Sequence, residues 1–413
     1  MNDESIEVTS ASDAADSDVH VVGGGLGGLT AAALVARTGH TVTVHEGRSR
    51  FGGRATTDTK DGFRFNQGPH ALYLGGEALG VLRRLGITPT GPEPRTKGAR
   101  MARGHEVSIA PGGPLSLLGS RLLGWRDKFD LGATLAGIGR LDPTRLASQS
   151  TTEWVEDLSA RPRVREIIHT VIRLATYTNA PDVLTAEVAL RQVQLALGDG
   201  VIYLDNGWEQ LVDALAADPR IRHAPADRIS ELPDAPAVIV ATGTPESTTA
   251  LTGTEFDTGP SAEVSVLDVG LSRPPRHDTV LGIDPPMYLS NHGTPSGMTP
   301  PGASSVSVAE YLVPGTEPDR GRLRSFLEHA GIEPESIRTE RYLHRMTAVS
   351  AIATAEHGGL RGRPTVDIDQ RAGVYAVGDW VGGRGHLLDA VLASAEDAAR
   401  AAVDHLERRP VSG

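Results

Sequence analysis

The stretch that decides the fold is Val19–Glu46, which reads VHVVGGGLGGLTAAALVARTGHTVTVHE. Its first four residues predict a buried strand, the Ala- and Leu-rich run from Leu29 to Thr38 predicts a helix, and Thr41–Val44 predicts a second strand. The glycines between the first strand and the helix form a G-x-G-x-x-G pattern. A strand, a glycine-rich turn, a helix and a strand in this order predict a βαβ unit that binds a dinucleotide.

Each glycine of the pattern has a physical role in such a unit. Gly23 allows the tight turn, Gly25 lets a pyrophosphate approach the backbone, and Gly28 lets the helix pack closely on the sheet. The helix N-terminus adds unpaired N–H groups and a partial positive charge, which makes Leu26 and Gly27 further candidate phosphate contacts. The alternative is a glycine-rich turn that binds nothing, and the flanking elements disfavour it.

An acidic residue completes the pattern. Glu46 follows Gly28 by 18 residues and ends the second strand, where a carboxylate can accept both hydroxyls of an adenosine ribose. A carboxylate there would repel a 2′-phosphate, so NADP is disfavoured. Its neighbours Gly47 and Arg48 are also candidate cofactor contacts. The motif suits NAD and FAD equally, because both contain ADP.

The composition excludes several classes of function. A chain of 413 residues predicts two domains. Its net charge of −12, without any long basic block, disfavours nucleic acid and anionic membranes as partners. The absence of cysteine excludes disulfides, thiolate catalysis, iron–sulfur clusters and a cysteinyl flavin, and we expect no metal site. No apolar run reaches the roughly 18 residues of a membrane span, and residues 1–18 predict a disordered leader, so we expect a cytoplasmic protein.

Two motifs downstream of Glu46 favour FAD. Residues 50–54 read RFGGR, and residues 65–70 read FNQGPH. Together with the first motif they resemble the family of FAD-dependent amine oxidases, protoporphyrinogen oxidases and phytoene desaturases. The resemblance implies non-covalently bound FAD, with Gly53 and Arg54 at the nucleotide phosphates. It also implies that Gly68 and Pro69 pass beside the isoalloxazine, next to His70, which is either a functional or a structural histidine.

The FAD domain of that family is assembled from three chain segments, and the second is recognisable here. A helix is predicted to open at Gly207–Leu211 and to run through Ala217, and a strand is predicted at Ile221–Ile229. Residues 237–243 (AVIVATG) predict a buried strand that ends in a second nucleotide contact. By the resemblance this contact comprises Ala241, Thr242 and Gly243, and Asp227 lies where the backbone meets adenine.

The third segment is residues 373–405. It predicts a strand at Gly373–Val377, a Gly378-Asp379 step, a glycine-rich turn and a helix from Leu387 to His405. By the resemblance, Asp379 hydrogen-bonds the ribityl or phosphate oxygens. The helix N-terminus near His386, Leu387 and Leu388 would point its dipole at the flavin N1/C2=O locus and stabilise the anionic reduced flavin.

The expected fold class is therefore α/β, with a Rossmann-like FAD-binding domain assembled from residues 19–70, 199–250 and 358–413. Residues 71–198 and 251–357 are expected to form a substrate domain of a mixed sheet plus helices. The first insert predicts helices and the second predicts strands around one helix. The predicted helices are at Leu115–Ile138 (with a break near Trp125–Asp127), Ser150–Leu158, Val164–Leu174, Thr185–Leu197 and Arg322–Ala330, and the predicted strands are at Ala262–Leu271, Met287–Ser290, Ser304–Tyr311 and Ile337–His344.

The expected reaction follows from the absence of a lysine in the second half of the chain, from the low aromatic content and from the motifs that the chain shares with phytoene desaturases. The only lysines are Lys60, Lys97 and Lys128, so the lysine that amine oxidases typically hold near flavin N5 is absent from its usual half. An aromatic content of 4% also makes an aromatic cage less expected. The motifs around residues 53–55, 286–290 and 378–382 look more like phytoene desaturases. We expect hydride transfer from a C–H bond of a small lipophilic substrate to flavin N5. The candidate polar groups, each of which could instead be structural, are His70, Tyr288, Arg345 and His386.

Three alternatives stay open from the sequence. A flavin amine or amino-acid oxidase would need an arginine for the substrate carboxylate, and Arg345 or Arg173 could serve. A flavin-dependent isomerase or cyclase would turn over without net redox change. A binding protein resembling Rab escort or GDP-dissociation inhibitor proteins would keep the fold without the flavin, and the intact Glu46, Arg54 and Asp379 disfavour it.

Overall fold

The computed structural model describes residues 17–104, 106–111, 114–368 and 371–408. Most of the predicted leader, residues 1–16, lies outside this range. The last two residues assigned to that leader belong to the fold instead. Ser17 is buried and its hydroxyl lies 2.8 Å from that of Thr43, while the Asp18 carboxylate accepts a hydrogen bond from the Thr41 backbone N–H at 2.8 Å. The prediction of a disordered leader is therefore wrong for Ser17 and Asp18.

The structure is a mixed α/β fold, as predicted. Its strands are β1 (Val19–Val22), β2 (Val42–Glu46), β3 (Thr57–Lys60), β4 (Phe63–Asn66), β5 (Leu72–Tyr73), β6 (Arg100–Arg103), β7 (Glu106–Ile109), β8 (Val201–Ile202), β9 (Ile221–Pro225), β10 (Ala237–Val240), β11 (Ala262–Leu271), β12 (Thr279–Asp284), β13 (Met287–Asn291), β14 (Ser304–Leu312), β15 (Ile337–Val349) and β16 (Val374–Ala376). Its α-helices are α1 (Leu26–Ala36), α2 (Glu77–Arg84), α3 (Pro114–Gly119), α4 (Trp125–Ile138), α5 (Thr151–Leu158), α6 (Pro162–Thr176), α7 (Ala186–Leu197), α8 (Glu209–Ala216), α9 (Pro245–Thr252), α10 (Arg320–His329) and α11 (Leu388–Arg408).

The first sheet is parallel throughout and has the order β16-β10-β1-β2-β9. Its strands come from three distant parts of the chain. Alternate residues of β1 and β2 face opposite sides. Val19, Val21 and Val44 join the core formed with helices α1, α8 and α11, whereas His20 and His45 face the other side. The carboxyl ends of the strands share one edge, which is where ligands bind in parallel sheets.

The second sheet is mixed and has the order β15-β11-β14-β13-β12-β6-β7. All neighbours are antiparallel except β12 and β6. Helix α10 packs on one face, and helices α4 to α7 form a separate core with the other. In the second insert, every predicted strand and the predicted helix are present. The predicted fold class of a parallel sheet with a second, mixed sheet is confirmed.

The differences from prediction lie where local patterns are weak. Strand β6 reads RMAR, which does not alternate, and it enters the second sheet only through pairing with β12. The strand predicted over Ile221–Ile229 ends at Pro225, because Ala226 adopts a left-handed φ of 59° and turns the chain. Helix α1 starts at Leu26 rather than Leu29, with Gly25 as its N-cap.

An arginine of β15 attaches the β3–β4 hairpin to the second sheet. The Arg341 guanidinium donates to the carboxylate of Asp268 at 2.7 and 3.1 Å, to Asp58 at 2.9 Å and to the carbonyl of Phe65 at 3.2 Å. Asp268 is fully buried, so burial raises the pKa of its carboxyl while Arg341 acts in the opposite direction. This cluster fixes the hairpin that leads into Gly68.

No helix in the described part of the chain is both long enough and apolar enough to cross a bilayer. Among the large apolar side chains of the described residues, the four most exposed lie close together in sequence, on α3 and α4. They are Leu115, Leu118, Trp125 and Phe129, each at least 71% exposed.

Candidate functional site

The glycine-rich turn after β1 is closed against the sheet at two glycines and open at the third. A β-carbon on Gly23, whose φ is 111°, would lie 2.4 Å from the carbonyl oxygen of Ala241. A β-carbon on Gly28 would lie 1.9 Å from the carbonyl oxygen of Gly23. At Gly25, the position that a β-carbon would take has no neighbouring atom within 4 Å. Helix α1 begins at this open side, and its first N–H groups have no acceptor within the helix.

The other residues of this turn are packed. Leu26 is 7% exposed, and a β-carbon on Gly27 would lie 2.8 Å from the side chain of Val377 and 2.9 Å from that of Val391. The helix therefore approaches α11 and the end of β16 closely, which only glycine allows at this position. Such close packing holds the N-terminus of α1 at the edge of the sheet.

Glu46 lies beside the turn and retains hydrogen-bonding capacity. Its Oε2 accepts the N–H of Gly24 at 3.0 Å, and its Oε1 accepts the N–H of Arg48 at 2.8 Å. Each carboxylate oxygen can accept a second hydrogen bond, so two acceptor positions remain for hydroxyl groups. Gly47 packs against the side chain of Arg228, from which a β-carbon would be 3.6 Å distant.

A chain of three side chains runs beneath this end of the sheet. The Asp227 carboxylate lies 2.7 Å from Nδ1 of His45, and Nε2 of His45 lies 2.8 Å from Nδ1 of His20. Because the carboxylate can only accept, His45 donates to it and accepts from His20. Burial and the neighbouring His45 lower the pKa of His20 to about 4. Asp227 also donates its N–H to the carbonyl of Glu46 at 2.9 Å. The chain therefore fixes the Asp227 loop against the strand that carries Glu46.

Arg54 and Asp379 meet where the three chain segments converge. Gly53 and Arg54 belong to a short 3₁₀ turn, and a β-carbon on Gly53 would lie 3.5 Å from the α-carbon of Gly25. Nη1 of Arg54 lies 3.4 Å from Oδ2 of Asp379. The same oxygen accepts the N–H of Ser350 at 3.0 Å. Burial raises the pKa of Asp379, but Arg54 and Ser350 outweigh it and the pKa is lowered, so the carboxylate is ionised.

Several buried polar atoms around Asp379 lack a partner among the described residues. They are Oδ1 of Asp379, Nε1 of Trp380, and Nε and Nη2 of Arg363. The remaining Nη1 of Arg363 donates to the carbonyl of Gly385 at 2.9 Å. Burial lowers the pKa of Arg363 to about 10, and the nearby Asp379 opposes that shift. Because buried polar groups are nearly always hydrogen-bonded, these atoms are candidate contacts for a polar ligand or for water.

Gly243 and Gly378 differ in how much open space surrounds each of them. Gly243, at the end of the segment Ala241–Gly243, has a φ of 98° and open space where a β-carbon would lie, and its carbonyl accepts the Ser350 hydroxyl at 2.8 Å. Thr242 accepts a hydrogen bond from the hydroxyl of Ser247 at 2.9 Å. Gly378 packs against the indole of Trp380, 2.4 Å from where a β-carbon would lie. Gly243 is thus accessible, whereas Gly378 allows the tryptophan to turn inward.

Gly68 lies against the second sheet, and His70 lies beside it. A β-carbon on Gly68 would be 3.1 Å from the methyl carbon of Met346. Pro69, which lies between Gly68 and His70 in the chain, is buried. Nδ1 of His70 lies 2.8 Å from the carbonyl oxygen of Gly68 and must donate to it, so Nε2 carries the lone pair. The His70 ring also lies 4.8 Å from that of Trp208. Burial, with Arg54 and Arg341, lowers the pKa of His70 to about 4.

The start of α11 is fixed by a buried histidine. Nε2 of His386 donates to the carbonyl of Thr176 at 2.8 Å, and burial lowers the pKa of His386 to about 4. Leu387 takes a left-handed φ of 54° and packs into the core below the second sheet. Leu388 is the first residue of α11. His386 therefore connects the first turn of α11 to the C-terminal end of α6.

Tyrosines concentrate between the second sheet and α6. Ring centroids of Tyr177, Tyr288 and Tyr311 lie 5.9 to 6.3 Å apart. The hydroxyls of Tyr177 and Tyr288 are hydrogen-bonded at 2.5 Å. Burial raises the pKa of Tyr177, and Tyr203 and Tyr73 add to the effect. Tyr177, Tyr288 and Tyr311, three of the seven tyrosines, thus form one tyrosine cluster, although the low aromatic content made an aromatic cage less expected.

Arg345 is not brought to the other candidates. Arg345 forms an ion pair with Glu263 on β11, and its Nη2 lies 3.7 Å from a carboxylate oxygen of Glu317. Val264, the residue after Glu263, packs into the core on the opposite face of the sheet. The adjacent Met346, which packs beside Gly68, was missed by the sequence analysis. So were Arg363 and Tyr311, since no local motif distinguishes them.

The profile of one protein family matches residues 26–250, which is more than half of the chain and contains Gly28, Glu46 and Arg54. That family is described as flavin containing amine oxidoreductase. The chain belongs to this flavin-containing amine oxidoreductase family. The predicted resemblance is therefore confirmed.

Individual relatives of this flavin-containing amine oxidoreductase match over shorter lengths. The chain is 50% identical to a carotenoid 3,4-desaturase of Haloarcula japonica over 63 residues, 15% of the chain and 12% of the relative. It is 31% identical to a coproporphyrinogen III oxidase of Propionibacterium freudenreichii over 152 residues, 36% of the chain and 24% of the relative. The matched segments thus span less than a quarter of each relative.

Solved structures share the whole fold. An oxidoreductase from Methanosarcina mazei superposes with a TM-score of 0.68 at 17% identity, covering 92% of this chain and 99% of the other. Cyclohexylamine oxidase from Brevibacterium oxydans superposes with a TM-score of 0.66 at 15% identity, covering 95% of this chain and 100% of the other. At these identities the likeness shows the fold alone.

The residues fit the nucleotide that the resemblance implies. The open side of Gly25 at the start of α1 suits a pyrophosphate, and the free acceptor positions of Glu46 suit ribose hydroxyls. The unpartnered Oδ1 of Asp379 can accept a hydroxyl, and the unpartnered N–H groups of Arg363 can donate to phosphate or carbonyl oxygens. These donors and acceptors come from distant parts of the chain and are brought together by the fold.

Proposed function

We propose that the protein binds FAD non-covalently and oxidises a small lipophilic organic substrate. The observation that carries this proposal is the convergence of Arg54 and Asp379 beside the open Gly25, together with the unpartnered polar atoms of Asp379 and Arg363. Membership of a flavin-containing family supports it. The absence of cysteine supports non-covalent attachment.

The chain's own residues would hold the nucleotide along its length. Glu46 would bind the adenosine ribose, and the N-terminus of α1 with Arg54 would bind the phosphates. Asp379 and Arg363 would bind the more distal polar groups. The start of α11 would present its partial positive charge to the flavin ring. The other predicted contacts at residues 47, 48, 227, 241–243, 378, 387 and 388 stay predictions.

Bound FAD supplies an acceptor for hydride at N5. Substrate would lie between Gly68 and the tyrosine cluster, where a C–H bond can break with its electron pair leaving as hydride. The accompanying proton would go to solvent or to Nε2 of His70, whose lone pair is free because Nδ1 donates to Gly68. Its low pKa makes His70 a weak base, so it suits a step in which hydride loss leads. Tyr288 and His386 would orient groups rather than transfer protons.

An amine oxidase is the second candidate, and the tyrosine cluster favours it. Aromatic faces attract cations such as a protonated amine, and three of the rings lie within 6.3 Å of one another. The position of the three lysines and the low aromatic content of the sequence disfavour this reaction. Anaerobic bleaching of the bound flavin by primary amines, but not by apolar substrates lacking nitrogen, would identify this chemistry.

An absorbance spectrum of the purified protein before and after acid denaturation tests the proposal. We expect the bands of oxidised flavin, and release of the yellow compound into the supernatant, where mass spectrometry identifies FAD. Flavin that stays with the precipitate would overturn non-covalent binding. A colourless protein that cannot be reconstituted with FAD would overturn the oxidoreductase proposal and favour the binding-protein alternative.

A further inference from the structure

A cavity lies away from the nucleotide residues, at the junction of α6 with β12. Its volume is about 220 Å³. Its lining combines apolar side chains with polar and charged ones. The residues used below are Glu166, His169, Ile172, Arg173, Asn179 and Ile283. Because Glu166 is exposed at the mouth, a small molecule can enter from solvent.

Arg173 provides an incompletely satisfied cation in this cavity. Its Nη2 donates to the carbonyls of Gly282 at 2.9 Å and Ile283 at 3.1 Å, and to the Thr170 hydroxyl at 3.1 Å. Among the described residues, no carboxylate forms an ion pair with Arg173, and its hydrogen bonds to Thr170, Gly282 and Ile283 all come from Nη2. The guanidinium stays charged at any pH the protein tolerates. Its charge is therefore available to an anionic ligand.

The other charged groups nearby do not neutralise it. Glu166, at the mouth, is already ion-paired with Arg103. Asp284 is close enough to influence Arg173 electrostatically but is beyond ion-pair distance. Burial, with Arg173 and Arg165, lowers the pKa of His169, against the opposing effect of Asp182 and Glu156, so His169 is neutral and able to donate one hydrogen bond. The lining thus presents a guanidinium that is in no ion pair among the described residues, beside a neutral histidine.

The same helix connects this cavity to the proposed reaction site. One turn beyond Arg173, the carbonyl of Thr176 accepts from His386, and the hydroxyl of Tyr177 contacts that of Tyr288. Tyr311 of the tyrosine cluster is near enough to Arg173 to influence its pKa. Arg173 therefore lies one helical turn before the residues that contact His386 and Tyr288.

We propose that this cavity binds the carboxylate of a substrate, with Arg173 as the cation that holds it. The inference rests on the proposed function, because it names the substrate class of that site. The apolar lining at Ile172 and Ile283 accommodates the carbon atoms next to the carboxylate. The substrate class is a monocarboxylic acid with an apolar chain.

Isothermal titration calorimetry of the flavin-loaded full chain with sodium hexanoate tests the proposal, with hexylamine hydrochloride as the probe of opposite charge. We expect saturable binding of hexanoate and none of hexylammonium. Arg173→Gln should lower hexanoate affinity about 10-fold or more, the range for losing a charge-assisted hydrogen bond. Asn179→Asp, which leaves the contacts of Arg173 with β12 in place, should have a similar effect because it adds a competing carboxylate.

Arg163→Gln is the matched control, since Arg163 is exposed on the same helix and does not line the cavity. It should bind hexanoate like the wild type. Equal binding by wild type, Arg173→Gln and Asn179→Asp would overturn the proposal, and so would equal binding of hexylammonium or no hexanoate binding at all. The flavin absorbance of the same samples reports the proposed function separately, because calorimetry detects hexanoate whether or not flavin is present.

Discussion

Arg54 and Asp379 are 325 residues apart in the chain, and their side chains meet at 3.4 Å. The arginine is 41% exposed and the aspartate 2% exposed at the side chain. One partner therefore faces the open cleft while the other is enclosed by the fold. Such a pair orients the arginine toward a ligand, and it leaves Oδ1 of the aspartate free to bind that ligand directly.

Replacement of this aspartate should weaken flavin binding more than it weakens folding. Asp379→Asn keeps the shape but removes a charged acceptor, so we expect FAD affinity to fall about 10-fold or more. Fluorescence titration of the flavin-free protein with FAD measures it. Arg400→Gln, at an exposed arginine of α11 that pairs with Asp397, is the control. Wild-type affinity in Asp379→Asn would contradict the assigned role.

Two glycines of the same turn should respond in opposite ways to substitution. Gly25→Leu places a side chain in open space at an ordinary φ of −74°, so the flavin-free protein should keep its Tm and lose FAD binding. Gly28→Ala places a methyl group against the Gly23 carbonyl and should destabilise the flavin-free protein by about 1–3 kcal/mol or more. Thermal unfolding followed by circular dichroism, with FAD titration of each variant, separates the two effects. If Gly25→Leu binds FAD, the phosphates do not lie there.

Buried histidines should make stability depend on pH. Burial lowers the pKa of His292 to about 3 and that of His386 to about 4, below the ordinary value near 6.5. The unfolded chain then binds more protons than the folded chain between these values, so stability falls as pH decreases from about 6.5 toward 4. Each histidine contributes a slope of up to about 1.4 kcal/mol per pH unit.

Urea unfolding of the flavin-free protein at several pH values measures this slope. His292→Gln, whose amide reaches about as far as the Nε2 that contacts the Ser290 hydroxyl, should flatten it between about pH 4 and 6.5. The difference in unfolding free energy between variant and wild type should therefore shrink or change sign as the pH falls. A slope unchanged by the substitution would mean that His292 titrates normally in the folded protein.

The Arg341–Asp268 pair should be the most costly ion pair to break from one side. Arg341→Met leaves a fully buried carboxylate without its cation, so we expect a loss of about 3–5 kcal/mol in unfolding free energy. Adding Asp268→Asn removes that charge and should recover part of the loss. Urea denaturation of the two variants measures both. A double variant no more stable than the single one would show that the charge is not the cause.

The parts of the fold that local pattern specifies could be predicted from the sequence. The first βαβ unit was identified because its glycines, alternating strands and terminal Glu46 all lie within 28 residues. Helices α5, α6 and α7 were predicted to within two residues of their bounds, and each buries one apolar face. Strand β6 was missed since RMAR has no such pattern and depends on its pairing with β12.

The candidate site was predictable only where a motif extends along the chain. Arg54 and Asp379 were each found by motif, but their contact spans 325 residues and only the fold shows it. Arg363 lies two residues after Arg361 in a stretch where neither stands out, and burial alone distinguishes it. The tyrosine cluster was missed because composition reports how many aromatic residues exist and not where the topology places them.

The order of strands in the first sheet has a consequence for synthesis on the ribosome. Strand β1 lies at the centre of the sheet, yet one neighbour, β10, begins only at Ala237 and the strand beyond it only at Val374. During translation β1 and β2 can pair at once, while the other edge of β1 stays unpaired until far more chain has emerged. An exposed parallel edge invites aggregation, and its slow closure favours a folding step that waits for nearly the whole polypeptide. Chaperone dependence of the nascent chain should therefore persist until β16 has left the ribosome.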